Sequence, residues 1–397
     1  MPMGDIIRRS AHRAPEKTAL IFGEKKLSYG ELNERVNRLA NGLLKSGIEK
    51  GDRVAVLLHN SPEYFEIYYA CAKSGAIFVP INTLLKESEL KKIFEYIEPC
   101  FLVFSADYEE LVKRIGGGDP CTEFLIEVGG ESPSPFTSYE RLAQEGSREE
   151  PGISISDDDI VSIFLTSGTT GLPKGAMRTH RHAFIDNMVG AIELRVQYND
   201  RILMVFPFYH VTWEDNLRHI LMCNTIVIRR EGSFDPREVL EILSEKNITI
   251  CQFVPTMISS LLQEKDIEGY DLSHFRLLTY AASPMPVELL KRAMTRFKCQ
   301  FMQLYGQTET GPLTTVLRPE DHVLEGSEAE MERLSSAGRP VVNYEVRIVD
   351  QDGNDVATGE VGEIIVRSEC MTVGYWRLPD ETAKILVNGW LYTGDFG

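Results

Sequence analysis

The sequence predicts an α/β protein of stacked, mostly parallel sheets flanked by helices in αβαβα layers, with a small β-barrel-like subdomain near the C-terminus. Three observations point there. Short apolar runs alternate with segments of helical period over most of the chain, and the period changes to two after Asn343. The 397 residues are 43% hydrophobic and 25% charged, an ordinary globular composition.

The elements follow in order. Ser28-Tyr29-Gly30-Glu31 reads as a capping box, after which Leu32, Val36, Leu39, Ala40, Leu43 and Leu44 keep helical spacing until Gly47. Arg53 to Leu58 is a short apolar strand, Ser61-Pro62 opens a helix through Lys73, and Ala76 to Ile81 is a strand again, forming a βαβ unit. A helix from Glu89 to Tyr96 and a strand from Phe101 to Phe104 continue the pattern. The Gly/Ser/Pro/Glu-rich tract from Gly129 to Gly152 is expected to be an exposed loop or a subdomain connection. Beyond it, Ile160 to Leu165, Thr225 to Arg229, Ile248 to Val254, Phe275 to Tyr280 and Gln300 to Leu304 read as strands. Arg181 to Leu194, Pro236 to Lys246 and Val287 to Phe297 read as helices. From Asn343, Tyr344 to Val349 and Gly362 to Arg367 alternate with period two around a turn at Asp352-Gly353, as an antiparallel hairpin would.

Charge and cysteine usage exclude several functions. The net charge is -17 with no Lys/Arg-dense block, so binding to nucleic acid or anionic lipid is not expected. The seven cysteines are scattered with no C-x-x-C pair, as in a reduced, cytoplasmic protein. The first residues carry charges throughout without an apolar core, so no signal peptide is expected. The most apolar long stretch, Tyr64 to Ile81, is interrupted by Glu66 and Lys73, and no membrane span is expected.

The densest chemical signal is Thr166-Ser167-Gly168-Thr169-Thr170-Gly171-Leu172-Pro173-Lys174-Gly175, directly after the strand ending at Leu165. Three glycines let the backbone approach an anion, four hydroxyls add donors and Lys174 adds charge. Two readings follow from composition alone, a phosphate-holding loop or a flexible surface loop. A Walker A loop is excluded, because Lys174 follows Pro173 and precedes Gly175.

The ten residues from Thr166 to Gly175 resemble the signature of the adenylate-forming (AMP-binding) superfamily, which includes acyl-CoA synthetases, luciferases and peptide-synthetase adenylation domains. Four further segments are similar in the same order: Phe206-Pro207-Phe208-Tyr209-His210, Ala281-Ala282-Ser283-Pro284, Tyr305-Gly306-Gln307-Thr308-Glu309 and Tyr392-Thr393-Gly394-Asp395. Leu27 to Leu32 and Gly51 to Ala55 also match, so the resemblance spans essentially all of 1-397. It implies the family's large N-terminal domain, with a β-rich subdomain around 340-397. The chain stops two residues after Asp395, before the family's ribose-contacting arginine, hinge and mobile lysine-bearing domain. A shortened form that binds nucleotide and adenylates poorly is therefore expected.

The implied reaction joins a carboxylate to the α-phosphate of ATP, releasing pyrophosphate, and then passes the acyl group to the thiol of CoA. The resemblance assigns Ser167, Thr169, Thr170, Lys174 and the amides of Gly168 and Gly171 to the departing pyrophosphate, with Thr166 opening the loop. It assigns Glu309 to Mg²⁺ and Thr308 to the α-phosphate. Ala281, Ala282 and Ser283 would line the adenine side, with Tyr305 stacking on the base. Gly306 and Gln307 would lie beside the base and Asp395 would take the ribose hydroxyls. Gln303 has two readings, an amide near the base or a strand residue. His210 would orient the acyl carboxylate as a neutral imidazole, the alternative being a packed structural residue.

For substrate, the segments after His210 and around Pro255-Thr256-Met257, with Ala281 and Ala282, are expected to wall an acyl pocket. Trp213, Glu214 and Asn216 are placed at its rim, Glu214 facing solvent. No acid suited to a substrate amine stands in Arg201 to Phe208. A ligase for a fatty or related acyl acid is thus preferred over an amino-acid-activating domain. The alternatives are an aryl-CoA ligase or other adenylating enzyme and, from another class, a non-catalytic nucleotide-binding interaction protein. A symmetric homodimer is the common assembly for acidic cytosolic enzymes of this size.

Overall fold

In Arg53–Leu57, Val54 and Val56 face one way, Ala55 and Leu57 the other, and all four are buried. A strand covered on both faces belongs between two helical layers. The computed structural model, which describes residues 1–116, 124–130, 135–166 and 173–397, sets it in a seven-stranded sheet. The order is Thr137–Ser138, Phe124–Val128, Phe101–Ser105, Arg53–Leu57, Ile77–Pro80, Ile160–Thr166 and Lys174–Thr179, parallel throughout except for the last pair.

A second sheet of nine strands holds Thr225–Ile228, Arg201–Met204, Ile250–Phe253, Leu277–Tyr280 and Gln300–Gln307 in parallel. Thr18–Phe22 joins it in parallel beside Thr225–Ile228, and antiparallel strands close both edges.

The core clusters give the layer order. Val54, Val56 and Phe78 of the first sheet share one cluster with Ile202, Met204 and Ile226 of the second. The helices Met3–Arg13, Tyr29–Lys45 and Pro62–Ser74 lie between them. Outside, Ala55, Leu57 and Val79 meet Leu90, Ile93 and Phe94 of the helix Glu87–Ile97. Leu203, Val227 and Phe253 meet Val239 and Leu243 of Pro236–Glu245 and Leu290 of Val287–Phe297. Helix, sheet, helix, sheet, helix is the stack that two-faced apolar strands demand.

Local signals fix the element ends. The Ser28 hydroxyl accepts from the Glu31 amide at 3.2 Å while the Glu31 carboxylate accepts from the Ser28 amide at 2.7 Å, a complete capping box. The period-two segments pair as Glu345–Val349 against Glu363–Arg367, antiparallel. Trp390–Phe396 and Leu386–Val387 extend them to a four-stranded sheet, the β-rich part of the chain.

One expectation needs correcting. The tract 129–152 is not all loop: Ser138 caps a helix, Tyr139–Glu145, whose first residue is fully buried. Its low complexity hid a packing helix that buries Tyr139 and Ala143, with Leu142 packed beside them. The Tyr139 hydroxyl donates to Glu66 at 2.6 Å, and Arg35 reaches the same carboxylate at 2.7 Å. Lys73, the other charge inside the Tyr64 to Ile81 run, donates to Asn37 at 2.6 Å and to Glu150 at 2.7 Å. Burial lowers its pKa to about 8. Among the described residues no helix is long and apolar enough to cross a membrane.

Candidate active site

A cavity of about 1010 Å³ opens where the two large sheets and the four-stranded sheet approach one another. Its first wall comes from Ile160–Thr166 and Lys174–Thr179, paired so that Thr166 lies opposite Lys174. Ser167, Gly168, Thr169, Thr170 and Gly171, between them in sequence, lie outside the described residues. Lys174 Nζ donates to Glu381 Oε2 at 2.6 Å and stands 5.1 Å from the centre of the Tyr375 ring. Lys174, then Lys384, holds the Glu381 carboxyl down to about 2.

The second wall is the end of the strand Gln300–Gln307 and the hairpin turn after it. Gly306 passes so close to the returning strand that a Cβ would lie 2.5 Å from the Gly311 carbonyl oxygen, so no larger residue fits. The Thr310 hydroxyl accepts from the Gln307 amide at 2.9 Å and closes the turn, placing Thr308 and Glu309 at its tip, on the cavity. Tyr375 donates its hydroxyl to Glu309 Oε1 at 2.8 Å. Burial first, and the Glu309 charge second, push that phenol well up, so it remains a donor.

Strand alternation sorts the remaining residues. Leu304 and Gly306 line the cavity, whereas Gln303 and Tyr305 point to the other face. Tyr305 is nevertheless tied in: its hydroxyl donates to Asp395 Oδ2 at 2.8 Å. The Gln307 amide donates to the same oxygen at 2.7 Å and to the Thr393 carbonyl at 3.0 Å. Ala281 and Ala282 line the cavity while Ser283 is exposed beyond it. Ala282 has φ +71, a left-handed conformation uncommon for a residue with a Cβ, held at the cavity wall.

His210 precedes the short helix Val211–Asp215 and lines the cavity with Val211, Thr212 and Asp215. Its ring is open to the cavity but crowded by protein elsewhere. That desolvation lowers its pKa against the opposing charge of Glu231 and favours the neutral imidazole. Glu214, expected to face solvent, does the opposite. It is fully buried, accepting from Arg178 Nε at 2.5 Å, Ser162 at 2.6 Å and Tyr68 at 3.0 Å. Trp213 and Asn216 are also buried and do not line the cavity. The helix turns Trp213 into an aromatic cluster with Phe65, Tyr68 and Phe78, and Glu214 follows it inward because a buried guanidinium awaits it.

The cavity thus gathers Thr166, Lys174, His210, Ala281, Ala282, Gly306, Gln307, Thr308 and Glu309, with Tyr305 and Asp395 attached through hydrogen bonds and Gln303 and Ser283 off its wall. Sequence reasoning missed Tyr375, Glu381, Asp215 and Arg178, each a common residue type without a spacing signal of its own.

Comparison with known proteins places these features in a family. Residues 7–376 match the family described as AMP-binding enzyme. The chain is 33% identical over 389 residues to a feruloyl-CoA synthase of Amycolatopsis sp, covering 98% of this chain and 74% of that protein. It is 30% identical over 398 residues to the long-chain-fatty-acid–CoA ligase FadD13 of Mycobacterium tuberculosis, covering 100% and 76%. Among solved structures, the inhibitor-bound N-terminal domain of FACL13 from Mycobacterium tuberculosis superposes with TM-score 0.90 at 28% identity, covering 99% of this chain and 96% of that one. An anthranilate CoA ligase, AuaEII, bound to anthranoyl-AMP superposes with TM-score 0.93 at 26% identity, covering 100% and 75%. With Thr166, Lys174 and the hairpin of Thr308 and Glu309 on one cavity, the chain belongs to the AMP-binding enzyme family of adenylate-forming acyl- and aryl-CoA ligases.

Proposed function

We propose that this chain activates a carboxylic acid with an apolar body, fatty or aryl, as its acyl-adenylate and passes the acyl group to CoA. The observation that carries the reading is the convergence of Lys174, His210, Thr308 and Glu309 on one cavity whose remaining wall includes Phe253, Val254, Met257 and Leu304. In the first step a carboxylate oxygen attacks the α-phosphorus of ATP, the α–β phosphate bond breaks and pyrophosphate leaves. In the second the CoA sulfur, its proton given up, attacks the acyl carbon and AMP departs.

The residues divide this work. His210, neutral at physiological pH, orients the acid without competing with it for the nucleotide's charge. Thr308 donates to the α-phosphate and Lys174 meets the charge that gathers on the departing pyrophosphate. Asp395 takes the ribose hydroxyls, its Oδ2 held in place by Tyr305 and Gln307. Ser283 and Gln303 stand off the cavity wall.

Glu309 fits a magnesium ion: a single carboxylate at a turn tip, steadied by Tyr375, is the small protein share that Mg²⁺ takes when phosphates supply its other oxygens. Bound there, the ion supplies charge neutralisation between the two reacting anions. The test is AMP release and ATP–pyrophosphate exchange over a panel of fatty and aryl acids. Substrate-dependent exchange that Glu309→Gln abolishes supports the reading; magnesium-indifferent nucleotide binding with no exchange for any acid refutes it.

A further inference from the structure

The backbone of the hairpin tip that carries Thr308 and Glu309 is held from the C-terminal part of the chain. The Glu309 carbonyl accepts from the Thr372 amide at 2.8 Å, and the Thr310 carbonyl accepts from the Tyr344 hydroxyl at 2.5 Å. Tyr344 stands just before the strand Glu345–Val349 of the four-stranded sheet. The backbone is shaped to admit its phenol. Gly311 has φ +94, and a Cβ there would lie 2.5 Å from the Tyr344 hydroxyl oxygen. Thr310 has no exposed surface and Tyr344 is 7% exposed, so water does not replace the phenol as donor. Burial first, and the Asp186 charge second, push the Tyr344 pKa well up, and the hydroxyl keeps its proton. The constraint passes into the tip through Thr310, whose Oγ1 accepts from the Gln307 amide at 2.9 Å and from the Thr314 hydroxyl at 2.9 Å. Thr308 and Glu309 are the two residues enclosed between Gln307 and Thr310.

We propose that Tyr344 is a positioning residue: by holding the Thr310 carbonyl, its hydroxyl sets where the Thr308 hydroxyl and the Glu309 carboxylate stand in the cavity. This rests on the adenylating reading above, which gives those two groups to the α-phosphate and to magnesium. Tyr344 does not line the cavity and touches no reacting atom. A tip displaced by a fraction of an ångström misaims both groups at once. The acid's half of the site is spared, because His210 and the wall of Phe253, Val254 and Met257 stand on other elements.

The test is Tyr344→Phe on the full chain, which deletes the hydroxyl and keeps the ring in its core. Amide hydrogen exchange should quicken about tenfold in peptides spanning 305–312 and stay unchanged in the strand Arg201–Met204. By calorimetry, MgATP should bind about threefold to tenfold more weakly. In ATP–pyrophosphate exchange kcat should fall about tenfold, with KM for the acid unmoved. Val346→Ala separates positioning from stability. Val346 packs on the same core cluster as Tyr344, and trimming it removes no hydrogen bond to the hairpin, so MgATP affinity and kcat should hold. Unaltered hairpin exchange and MgATP affinity in Tyr344→Phe overturn the proposal and leave the ligase reading intact. An equal loss of MgATP affinity in Val346→Ala overturns it too. An unaltered chain that shows no pyrophosphate exchange with any acid overturns the ligase reading, and the proposal falls with it.

Discussion

Arg178 and Glu214 meet at 2.5 Å, nitrogen to oxygen, with neither side chain reaching solvent. The first sits on the strand Lys174–Thr179, the second on the helix that follows His210. The guanidinium is shared with Asp186 on the helix His180–Glu193, and these two carboxylates drive its pKa up against the cost of burial. One buried cation therefore fixes the strand Lys174–Thr179 and the helix Val211–Asp215, which form two walls of the cavity, relative to each other.

Removing Glu214 leaves the Arg178 Nε and the Ser162 and Tyr68 hydroxyls buried without their acceptor. Glu214→Ala should destabilise the fold by about 3–5 kcal/mol, read as a shift in the urea midpoint. A loss within about 0.5 kcal/mol, the range of ordinary surface substitutions, would show that the contact does not hold the walls together.

Tyr375 positions Glu309 without touching the reacting atoms in the proposed mechanism. Tyr375→Phe should raise the KM for MgATP about tenfold or less and leave KM for the acid unmoved. Glu309→Gln should cut kcat by about 10² or more. Equal effects of Tyr375→Phe on both KM values would mean a general packing role.

In the proposed mechanism Glu381, which accepts from Lys174 at 2.6 Å, competes with phosphate for it. Glu381→Gln should tighten ATP binding by up to about fivefold at low salt, with the gain shrinking as ionic strength rises. Calorimetry at two salt concentrations checks it. Weaker binding in the variant would make Glu381 an aid to the lysine, not its competitor.

Burial lowers His180, His182 and His219 from 6.5 to about 4 each. Their neutral forms favour the native state, so the stability they contribute is complete above pH 6.5 and is lost as pH falls towards 4. Unfolding near pH 5 then takes up to three extra protons, a slope of about 4 kcal/mol per pH unit. Urea titrations between pH 4 and 7 measure it. His219→Gln should remove about a third of the slope, and a flat profile would contradict the burial of all three rings.

Much of this architecture was legible in the residues. Two-sided apolar strands such as Arg53–Leu57 and the Ser28 capping box announce themselves locally, because alternation and capping act within a few residues. Tyr139–Glu145 did not, since its stabilisation comes from Glu66, far away in the chain. The site divides along the same line. Thr308, Glu309 and Lys174 sit in recognisable runs, and the cavity gathers them. Glu214 was misplaced because a lone carboxylate in sequence looks solvated, and its partner Arg178 stands 36 residues upstream. Ser283 stands in a matching segment and Gln303 two residues before one, yet exposure and strand alternation put them off the wall. No run of letters could reveal that Tyr375 reaches back to Glu309 across a separation of 66.

The helix Val211–Asp215 gives each of its neighbours a separate duty. Trp213 and Glu214 are committed to the interior, while His210, Val211, Thr212 and Asp215 border the cavity. Under the proposed function, substrate preference can therefore be rewritten at those few cavity-facing letters while the two anchors keep the scaffold standing. An evolving or engineered lineage could explore new acids here without first having to re-solve how the protein folds.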